Sequence, residues 1–312
     1  MAEIQLKEIS EALADDIVAC VKEADLEYMK SINDVADALE QKGAKIVLLS
    51  GPSSSGKTTT ANILKDHLAE RGHKTVIVSL DNFYRDKDDP GYPKDDNGMQ
   101  DYEAVESLHI DKIRDCLKKL LSGEDVSIPR YVFEEGRAQQ AAIPINLPEN
   151  GLVIMEGLHA LNPVITEGLD SSHIIKMFIS VSTNINEGKR RILSGRKIRF
   201  IRRMTRDSLY RGSSAAATLA RWSSVLAGED KYLYPFKETA DFRINTFHKY
   251  ELAVMKPFAE KAISDSESEL FGEYIEIIKS ALAKFRAADI SNVPQTSLIR
   301  EFIPGGKYES QY

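Results

Sequence analysis

An eight-residue loop between an apolar run and a helix-like segment constrains this chain more than any other feature. Residues 51–58 read GPSSSGKT, which fits the pattern G-x-x-x-x-G-K-[ST]. The preceding KIVLLS (45–50) is typical of a buried strand, and residues 56–71 are typical of a helix that ends at Gly72. A strand, a glycine-rich loop and a helix in this order predict a phosphate-binding loop (P-loop), because backbone N–H groups and the helix N-terminus then point at an anion. This context disfavours the alternative, a chance Gly-Ser loop.

The pattern also predicts what the loop binds. Lys57 is expected to reach the β- and γ-phosphates of ATP, and the Thr58 hydroxyl is expected to hold Mg²⁺. The predicted ATP-binding residues are Gly51, Pro52, Ser53, Ser54, Ser55, Gly56, Lys57, Thr58 and Thr59.

Apolar, strand-like runs alternate with helical segments along the chain. The predicted strands are 45–50, 75–80, 152–155, 174–181 and a short one near 242–246. The predicted helices are 4–40 (one or two helices), 56–71, 103–122, 184–227 (two or three helices) and most of the chain from there to about 287. Continuous apolar strands between helices predict an α/β fold, a parallel sheet with helices on both faces. Ligands of such sheets bind beyond the carboxyl ends of the strands.

Composition excludes several classes of protein. The chain has 312 residues with 42 % hydrophobic and 29 % charged residues, which is typical of a globular protein, and it has no apolar run long enough to be a membrane span. Cys20 and Cys116 are its two cysteines and predict neither a disulfide framework nor a zinc site. The first residues lack the pattern of a secretory signal, so a cytoplasmic location is expected. The net charge of −7 argues against a nucleic-acid partner.

Two carboxylates follow predicted strands. Asp81 comes directly after TVIVSL, where it could accept a proton from an attacking hydroxyl; the alternative is a helix cap or turn former, since Asp-Asn favours turns. Glu156 ends the LVIM run downstream of the P-loop, where an acid supports Mg²⁺; the alternative is a turn acid that faces solvent.

An acidic loop follows Asp81. A negative loop repels a phosphorylated acceptor and tolerates a neutral polyol, which favours a neutral sugar or nucleoside. Its acids are Asp86, Asp88, Asp89, Asp95, Asp96, Asp101 and Glu103.

Positive charge is concentrated in residues 189–211. This segment carries +9, which leaves −16 for the rest of the chain. Arg199, Arg202 and Arg206 share one helix face, and guanidinium groups suit a transferring phosphoryl group, so we expect a lid over ATP. The alternatives are a solvated basic helix, a helix paired with the acidic remainder of the chain, and an RNA-binding surface.

Taken together, these motifs resemble the uridine kinase branch of the phosphoribulokinase/uridine kinase family. The resembling stretches are GPSSSGKT (51–58), SLDNFYRD (79–86), DYEAVESLHID (101–111), IPRYVF (128–133), VIMEGLHAL (153–161) and RRMTRDSLYRG (202–212). The resemblance implies a P-loop NTPase-type sheet with a helical lid and helical N- and C-terminal extensions. The implied boundaries are an extension at 1–42, a kinase domain at 43–265 with its lid at about 189–228, and a C-terminal extension and tail at 266–312.

The resemblance also implies roles for single residues. Asp81 stands where the family has its catalytic aspartate, and Glu156 stands at the acid of the second nucleotide motif, which together with Thr58 would support the metal. Lys57, Arg206 and Arg211 would meet the phosphates during transfer. The implied substrate-binding residues are Tyr84, Asp101, Tyr131, Phe133 and Arg203, of which Asp101 and Arg203 would hold the ribose and Tyr131 and Phe133 would border the base.

The expected activity is transfer of the ATP γ-phosphate, with Mg²⁺, to the 5′-hydroxyl of a pyrimidine nucleoside. One departure affects base selectivity, because Glu134, Glu135 and Gly136 occupy the stretch where pyrimidine-specific members carry a histidine. The alternatives are a phosphoribulokinase- or pantothenate kinase-like enzyme and a non-catalytic nucleotide-binding regulator. The expected partner is a small-molecule nucleoside, and the oligomeric state stays open, a homo-oligomer included.

Overall fold

The structure is a computed structural model that describes residues 2–95, 98–133, 135–148, 151–266 and 272–309. Asp96 and Glu134, which the sequence analysis named, lie outside the described residues. The helices are α1 (Leu6–Asp15), α2 (Ile17–Lys42), α3 (Lys57–Glu70), α4 (Ile110–Leu121), α5 (Gly195–Tyr210), α6 (Ala215–Gly228), α7 (Glu251–Asp265) and α8 (Glu273–Leu282). The strands are β1 (Ala2–Gln5), β2 (Ile46–Ser50), β3 (Thr75–Ser79), β4 (Val126–Val132), β5 (Arg137–Ile145), β6 (Leu152–Glu156), β7 (Ile174–Ser180), β8 (Thr183–Glu187), β9 (Arg190–Leu193) and β10 (Phe242–Asn245).

A five-stranded parallel sheet forms the centre of the fold. Its strand order is β10-β7-β2-β6-β3, and every neighbouring pair is parallel. Strands β2 and β6 are buried along their whole length, because apolar clusters cover both faces of the sheet. The α/β prediction is therefore confirmed. The carboxyl ends of β2, β3 and β6 meet at one edge, where the P-loop, Asp81 and Glu156 follow or end these strands.

Two smaller sheets were not expected. Strands β4 and β5 form an antiparallel hairpin, and β1-β8-β9 form a three-stranded sheet in which β1 pairs parallel with β8. The predicted helix is therefore wrong at residues 184–193, where the chain forms a hairpin. Gly188 has φ +61 in the short turn between β8 and β9, a backbone conformation that glycine adopts without strain.

The predicted helix at 103–122 begins later than expected, at Ile110. Backbone groups before it bond instead to the loop after β3: the N–H of His109 donates to the Phe83 carbonyl, and the N–H of Arg85 donates to the Ser107 carbonyl, both at 2.8 Å. This pairing places residues 101–109 beside Asp81 and its loop.

Both ends of the described chain pack on the P-loop helix α3. Tyr28 and Ile32 of α2 are buried in the same apolar cluster as Leu64 of α3. The residues after 287, for which no helix is predicted, form short 3₁₀ turns, and Leu298 and Phe302 are fully buried in that cluster. Within the described ranges, no helix is long and apolar enough to cross a membrane.

Candidate active site

A cleft of about 800 Å³ opens at the carboxyl edge of the parallel sheet. It brings together most of the predicted site residues from five separate parts of the chain. These are Ser53, Ser54, Gly56, Lys57, Thr58, Asp81, Tyr84, Phe133, Glu156, Arg203, Arg206 and Arg211. The other predicted residues do not line it: Gly51, Pro52, Ser55, Thr59, Asp101 and Tyr131.

The P-loop has the backbone geometry that a phosphate cradle needs. A Cβ on Gly51 would lie 2.4 Å from the Ile179 carbonyl oxygen, so only glycine fits between the loop and β7. Gly56 has φ +97 and Ser54 has φ +57, and such left-handed residues turn successive N–H groups inward. Lys57 Nζ donates to the Gly51 carbonyl at 3.0 Å, which folds the lysine side chain back over the loop.

Within the described chain, the buried hydroxyls of Ser54 and Ser55 have no hydrogen-bond partner. Buried polar atoms without partners are costly and mark places where a ligand or water completes the bonding. The Ser54 hydroxyl belongs to a residue that lines the cleft, so a bound phosphate could satisfy it.

Two carboxylates share the floor of the cleft. The Asp81 carboxylate faces the cleft and lies between its walls. Desolvation raises its pKa, and the positive charges of Lys57 and Arg211 oppose this increase. Glu156 is 7 % exposed, and desolvation together with the charge of Asp81 raises its pKa. The two acids therefore repel each other across a space that faces Lys57.

A divalent cation suits this pair, since it would relieve the repulsion. Among the described residues, however, no group of three or more His, Cys, Asp or Glu side chains could hold a metal by itself. This fits Mg²⁺, which usually takes one or two protein ligands and completes its shell with phosphates and water.

Helix α5 and the residue after it place three arginines in the cleft, and all three lie close to the carboxylate of Asp207. Arg206 donates to Asp207 Oδ1 through Nε at 3.1 Å and Nη2 at 2.8 Å, and Arg203 and Arg211 lie within 3.4 and 3.8 Å of the same carboxylate. Arg203 also donates to the Ser53 hydroxyl of the P-loop at 2.7 Å. These guanidinium groups are thus held next to the phosphate loop.

Two arginines of the basic segment have a different role from the one expected. Arg199 and Arg202 are 1 % and 0 % exposed and pair with the buried Glu229 and Glu251. The expectation that these two share a phosphate-facing surface with Arg206 is therefore wrong. The alternative of a helix paired with the acidic remainder of the chain is confirmed for them, because a buried guanidinium needs a carboxylate partner.

Aromatic rings border the other end of the cleft. Tyr84 and Phe133 line it, with ring centroids 5.7 Å apart, and Tyr131 packs behind both. Phe133 is 55 % exposed, which leaves its face available to a ligand.

Glu103, rather than Asp101, lies at this end of the cleft. The Asp101 carboxylate instead accepts a hydrogen bond from the Tyr232 hydroxyl at 2.5 Å and lies 3.8 Å from Lys231 Nζ. Burial raises the pKa of Glu103 to about 7, against the lowering effect of Arg203, and the neighbouring acids Glu229, Asp81 and Asp101 raise it further.

Sequence reasoning missed several residues of the cleft. They are Lys87, Glu103, Leu158, Asp207, Tyr210, Ser213, Arg221, Val225, Glu229 and Glu301. The sequence offers a signal for Asp207, since it is the single acid in the segment 189–211, which contains ten basic residues. Glu301 has no such signal, because it reaches the cleft only through the packing of the C-terminal residues.

The comparisons with known proteins identify the family of the chain. Residues 46–253 match the model of the phosphoribulokinase/uridine kinase family, which is about two thirds of the chain. The chain belongs to this family. It is therefore a kinase that uses ATP, a phosphotransferase acting on an alcohol group.

Individual relatives are more distant. A uridine kinase of Staphylococcus aureus (strain JH9) is 26 % identical over 205 residues, which cover 65 % of this chain and 88 % of that protein. A candidate fructose transport system kinase from Silicibacter sp. TM1040 is a solved structure with a TM-score of 0.49 and 20 % identity, covering 68 % of this chain and 98 % of that one. A D-glycerate 3-kinase from Cryptococcus neoformans has a TM-score of 0.33 and 13 % identity, with 87 % of each chain covered.

Proposed function

We propose that this family member phosphorylates the 5′-hydroxyl of a pyrimidine nucleoside, uridine or cytidine. The observation that carries the proposal is the composition of the cleft between Asp81 and the Tyr84–Phe133 pair. A carboxylate next to the phosphate loop, an open aromatic face and a second carboxylate, Glu103, match the three parts of a nucleoside: the reacting hydroxyl, the base and the ribose diol.

The reaction needs little more from the protein than positioning and charge. The acceptor oxygen attacks the γ-phosphorus, the bond to the β-phosphate oxygen breaks, and ADP leaves. Asp81 orients the hydroxyl and takes its proton as the new P–O bond forms. Lys57, Arg206 and Arg211 neutralise the charge on the transferring group.

Thr58 and Glu156 are the residues that would hold Mg²⁺, with the nucleotide phosphates as its other ligands. When bound, the ion would neutralise part of the negative charge of the nucleotide phosphates. The repulsion between Glu156 and Asp81, which a cation would relieve, supports this placement.

An ATP-coupled assay against a panel of acceptors tests the substrate. Uridine and cytidine should give the highest kcat/KM, and ATP consumption should depend on their presence. Lys87 lines the acceptor end and would favour an acidic acceptor instead, so the panel includes pantothenate, a sugar phosphate and glycerate. Turnover with one of these acceptors and none with a nucleoside would refute the proposal. A rate of ATP hydrolysis that does not change when any acceptor is added would refute it as well.

A further inference from the structure

Glu301 lies against the phosphate loop, although it falls well outside the residues that match the family, 46–253. Its carboxylate accepts a hydrogen bond from the Thr59 hydroxyl at 2.8 Å and another from the Thr59 backbone N–H at 3.4 Å. The residue is 4 % exposed and lines the cleft beside Lys57 and Thr58.

Thr59 is in the first turn of α3, directly after the Lys57–Thr58 pair. The first four N–H groups of a helix have no partner within it, and a P-loop uses them to bind phosphate. Although Thr59 itself does not line the cleft, a carboxylate that accepts from its N–H occupies a donor of the helix terminus at which the phosphates would bind.

The same carboxylate also faces one of the arginines. Oε1 of Glu301 lies 3.7 Å from Nη1 of Arg206, whose other side is bonded to Asp207. Arg206 is thus held between two acids, and part of its charge is compensated before any phosphate arrives.

Basic and acidic side chains are equally numerous in the described lining of the cleft. It contains six of each, so the carboxylates compensate much of the positive charge that would attract a nucleotide with several negative charges. The cations are Lys57, Lys87, Arg203, Arg206, Arg211 and Arg221, and the anions are Asp81, Glu103, Glu156, Asp207, Glu229 and Glu301.

The backbone around Glu301 is anchored by hydrogen bonds and by buried neighbours. Arg300 donates to the Ile290 carbonyl at 2.8 Å, and the hydroxyl of Tyr308 donates to Asp66 at 2.7 Å. Phe302 and Ile303 are fully buried. A rotation of the Glu301 side chain would release Thr59 and Arg206 while the C-terminal residues stay in place.

We propose that Glu301 competes with the nucleotide phosphates for Thr59 and Arg206 and so sets the affinity for ATP. The C-terminal extension then contributes an affinity-determining residue to the nucleotide site. The inference rests on the proposed function only in that ATP occupies the P-loop.

Glu301→Gln is the decisive variant, because it keeps the length of the side chain and an acceptor for Thr59 but removes the charge. Without that like charge near the phosphates, the Kd for ATP, measured by calorimetric titration, should fall roughly tenfold. The Kd for adenosine, measured by competition, should not change, because adenosine has no phosphate. Glu309→Gln is the matched control, since Glu309 is on the same segment, accepts from the Gly305 N–H and does not line the cleft.

A Kd for ATP that is unchanged or higher in Glu301→Gln overturns the proposal and makes Glu301 a structural or positioning residue. An equal decrease in the Kd for ATP and for adenosine overturns it as well.

Glu301→Asp is a second variant for the case that the glutamine variant does not fold. Its shorter carboxylate withdraws from Thr59, so the Kd for ATP should fall by a smaller factor, and an unchanged value contradicts the proposal. Because the titration contains no acceptor, it reports on Glu301 whatever the acceptor proves to be.

Discussion

Arg199 and Glu229 form a buried ion pair with two hydrogen bonds of 2.8 Å, and both partners also hold the phosphate loop. Arg199 donates to the Ser53 carbonyl at 2.9 Å, and Glu229 accepts from the Ser53 N–H at 2.8 Å. The N–H and the carbonyl of one P-loop residue, Ser53, are thus fixed by a pair that belongs to the helical segment between β9 and β10. Stability and loop geometry depend on the same contact.

Removal of Glu229 should therefore destabilise the fold strongly. In Glu229→Ala, Arg199 keeps its charge at a site that is 1 % exposed but has lost its carboxylate, so the free energy of unfolding should fall by about 3–5 kcal/mol. Urea unfolding followed by circular dichroism measures this loss.

The neighbouring pair Arg196–Asp230 provides the control, because it links the same two segments but is 44 % and 52 % exposed. Asp230→Ala should cost about 1 kcal/mol or less, since water screens exposed pairs. Equal losses in the two variants would show that burial does not decide the strength of these pairs.

The parallel sheet could be predicted because each central strand is a continuous apolar run. The positions of Asp81 and Glu156 followed from it, since each comes directly after a predicted strand or ends one, and the strands run in the same direction. Lys57 followed from the pattern of the loop after β2. Their roles remain predictions until they are tested.

The rest of the molecule depends on contacts that no local pattern reports. Strand β8 pairs with β9 and with β1, which comes from the N-terminal residues. Its own residues, TNINE, are polar enough to be mistaken for part of a helix. Glu301 and Glu103 reach the cleft because buried neighbours hold their segments there. Sequence spacing shows which residues share a helix face, but it does not show what packs against that face. For this reason it predicts Arg199 and Arg202 as phosphate ligands, although they pair with buried acids.

Lys57→Ala should raise the KM for ATP and lower kcat together. The lysine already bonds the Gly51 carbonyl of the loop and would contact phosphate both before and during transfer, so its loss affects ground and transition states. Steady-state kinetics with varied ATP measures both constants. Lys65→Ala, an exposed lysine on the same helix, should behave like the unaltered protein. Normal turnover in Lys57→Ala would mean that this loop does not bind the transferred phosphate.

Asp81→Asn should lower kcat by about 10²–10⁴-fold and leave the Kd for ATP almost unchanged, the range expected for a positioned acid–base group. The amide keeps the size of the side chain but cannot take the proton of the acceptor hydroxyl. Asp88→Asn is a suitable control, since its side chain is 78 % exposed on the same loop. If Asp81→Asn retains most of its turnover, or loses only ATP affinity, the catalytic role of Asp81 is wrong.

Acceptor binding should strengthen with pH through the titration of Glu103. Burial raises the pKa of this carboxyl to about 7, so much of it is protonated at pH 6 and most of it is ionised at pH 8. Only the ionised form accepts hydrogen bonds with both oxygens, as a bound ribose diol requires. The KM for the nucleoside should therefore fall several-fold, up to about tenfold, between pH 6 and pH 8. Because the folded pKa lies above the ordinary value, the same group weakens folding as the pH rises, so the assay is run where circular dichroism shows the protein fully folded.

In Glu103→Gln the nucleoside KM should be high and independent of pH. Glu106→Gln, which changes an exposed acid three residues later, should keep the dependence of KM on pH. A slope that survives in Glu103→Gln would assign the titration to another group and remove Glu103 from the acceptor site.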